Sequence, residues 1–286
     1  MFTKPVYIEK IAASFERTTD GCQLREPDYK LLIPNATLRR RMSRMVRMGV
    51  ATGLQCIGET AVRVDAILTA TGLGCLADTE KFMNTILEHN EELLTPTAFI
   101  QSTFNTIGAQ IALLTGNHSY NTTYVHRAFS LESALLDAAL LLQEGEASSV
   151  LVGAVDEMTP ALEVILGRLG FWKKAKLGEG AAFFLLSGDP SPKCMAELRD
   201  MEFFSGSFTK EEIDKRMEAF LFRNGTTDAC VVLPDEYKRY CGEFPTAMSF
   251  ALWYACSRMQ ETGSSDSVLL YNSFLDNHSF LLIKKG

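Results

Sequence analysis

The residues that could do chemistry in this chain gather around one turn, and the turn lacks a reactive side chain. From Tyr124 to Glu157 the sequence YVHRAFSLESALLDAALLLQEGEASSVLVGAVDE reads as a strand end, a tight turn, a helix and a buried strand. Such a layout presents a side chain at a helix N-terminus, where a thiolate is the group suited to act as nucleophile near neutral pH and as acyl leaving group. The turn carries Ala128, and no cysteine lies between Cys75 and Cys194, so no small shift of register supplies one. Ser130 is the only hydroxyl near the turn. With no base positioned beside it, it reads as the N-cap of a helix beginning at Leu131. His126, two residues before Ala128, could face the turn, but a lone histidine at a strand end more often serves as a structural hydrogen-bonding group. His89 and His118 read as surface residues, and His278 sits beside the last strand pair, where it could touch a pocket. The seven cysteines are scattered without a C-x-x-C pair, which fits reduced thiols rather than disulfides or zinc. No metal or cofactor is expected.

The elements that must position these residues alternate in type, which predicts an α/β fold. Strands are expected over 6–14, 64–71, 122–126, 149–155, 181–187, 196–204, 229–233, 268–273 and 278–284. Helices are expected over 38–57, 78–89, 106–114, 131–144, 210–222 and 247–260. Thr209 with Glu212 makes a capping-box pattern, and Gly145 stands where a helix C-terminal glycine belongs. The run SGDPSPK, ending at Lys193, breaks the chain into halves at 1–188 and 189–286. At 286 residues and 47% hydrophobic the chain can bury a large core, and its net charge of -7 argues against nucleic-acid binding. No apolar run is long enough for a membrane span, and the start MFTKPVYIEK lacks an apolar leader, so a cytoplasmic protein is expected.

Several motifs carry a resemblance. SSVLVGAVDE and GEGAAFFLLSG, together with IPNATLRRRMSRMVRMGVATGL and VDAILTATGLGCLADTEKFMNTILE, resemble the N-terminal half of the β-ketoacyl synthases of the thiolase superfamily. The closing YNSFLDNHSFLLIKK is similar to a worn form of that family's N-S-F-G-F-G-G-x-N hairpin. The resemblance implies a layered αβαβα fold of two pseudo-repeated halves, the second shortened. It also places the family's cysteine on Ala128. The family's K-x-x-x-G-H-x-x-G-A stretch corresponds to KRYCGEFPTA, which keeps Lys238, Gly242 and Ala247 but carries Glu243 in place of histidine. An ionised Glu243 would repel the negative charge that a neutral imidazole stabilises, although an ion pair with Lys238 is an equally simple role. The second histidine, expected in an H-G-T-G-T turn, has no counterpart after DACVVLP. Leu275 and Asp276 replace glycines of the closing hairpin.

The resemblance extends to partners. It implies a non-catalytic subunit similar to the chain-length factors of heterodimeric ketosynthases, and the chain resembles the short ketosynthase-like proteins of aryl-polyene or flexirubin-type pigment pathways. The expected partner is an active ketosynthase, with a second copy of this chain as the alternative, and an acyl carrier protein as a further candidate. Arg39, Arg40, Arg44 and Arg47 could steer such an acidic carrier, or simply form a solvated helix face with Met42 and Met45 buried beneath. Lys173, Lys174 and Lys176 form a second small basic patch. Phe99, Phe104 and Phe129 join His126, Ser130 and His278 as pocket or tunnel candidates. Residues 121–126 would be an edge strand that a partner chain covers. Two other readings stay open: a divergent acyltransferase or thioesterase using Ser130 or His126 with Glu243, and a homodimeric acyl-binding scaffold.

Overall fold

The computed structural model describes residues 2, 4–19, 21–58, 63–92, 94, 96–170, 176–226, 228–261, 263 and 265–286. Lys173 and Lys174 lie outside them. In chain order the elements are β1 (Val6–Ala13), β2 (Phe15–Thr18), β3 (Gly21–Leu24), α1 (Tyr29–Leu32), α2 (Ala36–Arg41), α3 (Arg44–Ile57), β4 (Ala66–Ala70) and α4 (Leu76–Glu88). Next come α5 (Pro96–Ser102), α6 (Thr106–Thr115), β5 (Tyr120–Tyr124), a 3-10 turn at Arg127–Phe129, α7 (Ser130–Glu144), β6 (Ser149–Asp156), α8 (Pro160–Arg168) and β7 (Gly180–Ser187). The chain closes with β8 (Ala196–Ser205), α9 (Lys210–Arg223), β9 (Cys230–Val232), α10 (Pro234–Cys241), α11 (Met248–Met259), β10 (Ser267–Phe274) and β11 (Asn277–Lys285).

β2 and β3 form a separate hairpin, and the remaining strands make one nine-stranded mixed sheet in the order β5-β4-β6-β7-β1-β8-β11-β10-β9. The order has an internal mirror. Running outward from the β1–β8 seam, β8, β11, β10 and β9 repeat the succession β1, β7, β6 and β4, and β5 has no counterpart among the described residues. The seam itself is short, pairing Val6 with Leu198, Tyr7 with Glu197 and Ile8 with Ala196.

The strand sequences explain the layering. In β6, Val150, Val152 and Ala154 face one core while Leu151 and Val155 face another; β7 divides Ala182, Phe184 and Leu186 from Ala181, Phe183 and Leu185 in the same way. Strands buried on both faces read as continuous apolar runs, which is why these segments show no polar alternation. One core is shared by α7, α11 and both wings of the sheet. The second packs α3 and α6 on the first wing, and the third packs α9 on β10 and β11. The result is a helix, sheet, helix, sheet, helix succession, the layered α/β architecture expected from the sequence.

Local signals account for several boundaries. The Thr209–Glu212 capping box is formed, and Gly145 ends α7 with φ 74°. The helix expected over 38–57 is two helices, because Met42 is extended and Ser43 caps α3 through the Val46 N–H. The strand expected at 122–126 lies two residues earlier, and Val125 and His126 lead out of the sheet into the turn at Arg127, which takes a left-handed φ of 49°. The β2–β3 hairpin and helices α1, α5, α8 and α10 were absent from the sequence reading.

Candidate functional site

The strained turn between β5 and α7 lies at the seam of the two wings. Arg127 holds the left-handed conformation, unusual for a residue with a side chain, and its guanidinium is exposed. Ala128, immediately after it, is 1% exposed. Ser130 does not cap the helix as the sequence suggested: it is the first residue of α7, and no side-chain cap bond is made there. Its buried hydroxyl instead accepts the His126 backbone N–H at 2.8 Å and faces the carbonyls of Thr71 and Arg127, both at 2.8 Å. That oxygen is occupied in holding the turn, with no imidazole to activate it. His126 is exposed, with its ring edge against Phe129 at 5.8 Å, and it meets neither Ser130's hydroxyl through its ring nor Glu243.

On the other side of the seam, Lys238 from α10 lies 2.8 and 2.9 Å from the two Glu243 carboxylate oxygens and donates to the Ser273 carbonyl at 2.7 Å. Burial raises the Glu243 pKa, and Lys238 opposes the shift. The pair is therefore a closed ion pair rather than a free base. Leu275, in the β10–β11 turn, keeps a left-handed φ of 54° that glycine would hold without strain, and its side chain is 55% exposed. Leu275→Gly is expected to raise stability by about 1 kcal/mol, read as a higher urea midpoint at unchanged slope. A lower midpoint would mean that the leucine side chain makes a contact worth more than the strain.

Two buried carboxylates near the turn escaped the sequence reading. Asp156, at the end of β6, accepts from the Thr71 hydroxyl and Gly72 N–H with one oxygen and from the Thr246 N–H and hydroxyl with the other. It ties the loop after β4 to the loop before α11. Glu132, in the first turn of α7, is fully buried and accepts the Ser279 hydroxyl at 2.6 Å. Its other oxygen has no hydrogen-bond partner among the described residues. Asn272 and Lys238 stand close enough to favour the ionised form, but burial dominates and pushes the Glu132 pKa up to about 7. The hint available in the sequence was an acidic residue inside an otherwise apolar helix stripe.

The remaining candidates do not converge. Phe129 is buried against Phe203 at 5.5 Å. Phe99 packs on Phe82 at 5.5 Å, and Phe104 covers Gly74, whose left-handed φ and closeness to the ring leave no room for a side chain; both phenylalanines are more than half exposed. His278 is 7% exposed and stacks between Phe204 and Tyr271. Its Nε2 faces the Gly206 carbonyl at 3.0 Å, which can only accept, so Nε2 carries the proton and Nδ1 takes the Tyr271 hydroxyl at 2.8 Å. Both ring nitrogens are engaged in structure. None of these residues lines the cavities of about 370 to 600 Å3.

The arginines are largely committed as well. Arg44 makes a two-pronged ion pair with Glu179 and a further one with Glu26, and Arg39 bonds the Ile33 and Pro34 carbonyls. Arg47 lies over the Tyr29 ring, while Arg40 is exposed and reaches the Ala36 carbonyl. Of the arginines from Arg39 to Arg47, those exposed are Arg40 and Arg41 of the short α2. The described residues hold no group of three or more metal-ligating side chains, and no described helix is long and apolar enough to cross a membrane.

Comparison with known proteins agrees with this architecture. No curated protein sequence matches the chain. Among solved structures, a chain of the ishigamide ketosynthase/chain length factor superposes with a TM-score of 0.76 at 13% identity, covering 98% of this chain and 99% of that one. A chain of AntDE:AntF, a type II PKS acyl-carrier protein in complex with its ketosynthase bound to the hexaketide, gives 0.78 at 15% identity with 100% of both covered. A chain of the ketosynthase ApeO in complex with its chain length factor ApeC from Xenorhabdus doucetiae gives 0.60 at 14%, covering 98% and 99%. At these identities the likeness establishes the shared fold. The family profile described as "Beta-ketoacyl synthase, N-terminal domain" matches residues 18–163, just over half of the chain and the segment that contains the turn, Glu132 and Asp156. The protein belongs to the β-ketoacyl synthase family.

Proposed function

We propose that this chain is a non-catalytic member of the family, a subunit in the manner of a chain length factor that pairs with an active ketosynthase in fatty acid or polyketide assembly. The observation that carries this reading is the state of the turn: Ala128 is buried where the family's nucleophile is expected, and the neighbouring Ser130 hydroxyl is consumed by main-chain groups. The closed Lys238–Glu243 pair in place of a histidine, and the run of β9 straight into α10 with no histidine turn between them, support it. In this reading residues 1–188 are the family's N-terminal half and 189–286 a reduced C-terminal half.

The surface supports assembly. β5 ends the sheet with its outer backbone groups unpaired. α8 begins with a Thr159 cap and Pro160, yet buries none of its residues and exposes Val164 and Ile165; Leu169 just beyond it, and Phe99 and Ile100 of α5, are exposed too. Well-formed helices with uncovered apolar faces are what a subunit shows when its partner is absent. Acyl transfer through Ser130 or His126 finds no such support, because no base reaches either one. The test is co-expression with a neighbouring ketosynthase and its acyl carrier protein. A one-to-one complex that changes product chain length is expected; recovery as a lone chain or homodimer, with the partner's products unaltered, would overturn the proposal.

A further inference from the structure

Asn224 and Gly225, at the end of α9, form the only Asn-Gly pair in the sequence. In such a pair glycine has no side chain to shield its nitrogen from the neighbouring amide carbon, and its backbone turns freely. Here the structure holds back both reacting groups. The Gly225 N–H donates to the Phe222 carbonyl at 3.0 Å and the Thr226 N–H to the Leu221 carbonyl at 3.1 Å, with Gly225 at a left-handed φ of 60°, which is a Schellman end. The Asn224 side-chain amide donates to Asp200 Oδ2 and to the Phe220 carbonyl, both at 2.9 Å. Asp200, inside β8, is 0% exposed, and its other oxygen accepts the Met201 N–H. Arg223 reaches the same Asp200 oxygen at 3.2 Å. Asn224 thus bolts the end of α9 to β8.

We propose that Asn224 is a spontaneous deamidation site gated by the lifting of the end of α9 from β8, and that its product keeps that end from redocking. The Gly225 nitrogen attacks Asn224 Cγ and gives up its proton, the Cγ–Nδ2 bond breaks, and ammonia leaves behind a five-membered imide. Water then opens the ring to aspartate or isoaspartate. One water enters and one ammonia departs, so no oxidant or second reactant is needed. Attack requires a free Gly225 nitrogen and an Asn224 side chain turned back onto it, so the Schellman bonds and the bonds to Asp200 and Phe220 must open together. Such an opening is local, at a helix end, and does not require the sheet to unfold. The product reverses the polarity of the bolt. A donor to two acceptors becomes a carboxylate that can only accept, and it faces the buried Asp200 carboxylate. Arg223 is shared with Glu202 and now meets a further negative charge. Isoaspartate in addition lengthens the main chain inside the Schellman turn. The layer that α9 covers, with Phe220 against Phe280 at 5.5 Å, then loses its fastening at this end. The inference stands apart from the subunit reading and concerns the second wing alone.

Incubating the full chain at mildly alkaline pH, folded and in denaturing urea, and following the peptide that bears Asn224 by mass spectrometry tests this. The folded chain is expected to convert at least about tenfold more slowly than the unfolded one, and Arg223→Ala, which removes one hold on Asp200, about threefold faster than the natural folded chain. Asn224→Asp reproduces one product. Its Gly225 and Thr226 N–H groups are expected to exchange hydrogen about tenfold faster than in the natural chain, with β6 and β7 unchanged. Adding Asp200→Asn to that variant gives the carboxylate an amide donor, the original pair with its members exchanged, and is expected to restore slow exchange. Conversion as fast in the folded chain as in urea overturns the gate, and a folded Arg223→Ala chain that never converts overturns the site. Natural exchange rates in Asn224→Asp, or no rescue by Asp200→Asn, overturn the block on redocking.

Discussion

A cysteine introduced at Ala128 is expected to be alkylated by iodoacetamide about a hundredfold more slowly than one introduced at Arg127, with site-resolved mass spectrometry as the measure. The two positions are adjacent, yet the fold treats them oppositely. Arg127 is the exposed apex of the turn, just ahead of the N-terminus of the fifteen-residue helix α7, where partial positive charge favours a thiolate. Ala128 is 1% exposed. The chain's own buried thiols show what that environment does, since desolvation pushes the Cys56 and Cys75 pKa values up to about 12. The exposed Cys230 serves as an internal reference for open access. On the proposed reading, in which Glu243 replaces one catalytic histidine and the other has no counterpart after β9, neither variant is expected to condense acyl groups. Rapid alkylation of Ala128→Cys would show that the site opens in solution, and condensation by that variant would show that the nucleophile alone was missing.

Stability is expected to fall as pH rises from about 4.5 to 7, and Glu132→Gln is expected to remove much of that fall. The sign follows from the protons. With a native pKa of about 7 against an ordinary value of 4.5, Glu132 stays protonated in the folded chain while the unfolded chain ionises. Folding therefore takes up a proton across this window, so the stability present below pH 4.5 is lost toward pH 7 and does not return above it. The loss amounts to about 3 kcal/mol for this group alone. Glu157, pushed up to about 7 by burial with Asp78 and Glu179 nearby, acts in the same direction. Glutamine keeps an acceptor for Ser279 and carries no charge to bury, so Glu132→Gln should gain stability at pH 8 and little or none at pH 4.5. Urea midpoints at the two values measure the difference. An equal effect at both would mean that the native carboxylate is already ionised and paired.

How much was legible in advance varies with the range of the interactions involved. β6 and β7 could be placed closely, because strands buried on both faces must be apolar throughout; β8 was placed as closely although Glu197, Arg199, Asp200 and Glu202 interrupt it. Caps such as Thr209–Glu212 act within one turn of helix and are equally readable. α8 could not be placed by burial logic, since it buries nothing in this chain. The break at Met42–Ser43 depends on a single backbone conformation inside an otherwise helical pattern. At the candidate site, the absence of a thiol was visible as a simple absence. The role of Ser130 was not, because its hydroxyl bonds the carbonyl of Thr71, in the loop after β4 and far away in sequence.

The sequence by itself determined the α/β class, the apolar strands that form the double-faced sheet, and the lack of a thiol around Ala128. Each of these depends on residue type and on neighbours a few positions away. Only the tertiary structure decided that Arg127 bears the strain, that Ser130 and His278 are spent on main-chain and tyrosine partners, that Arg44 is locked to Glu179, and that Glu132 is sealed between α7 and β11. Those outcomes depend on which groups meet across the seam of the two wings and on how far water is excluded there. Burial and pairing are properties of the assembled layers, and no local pattern in the chain encodes them.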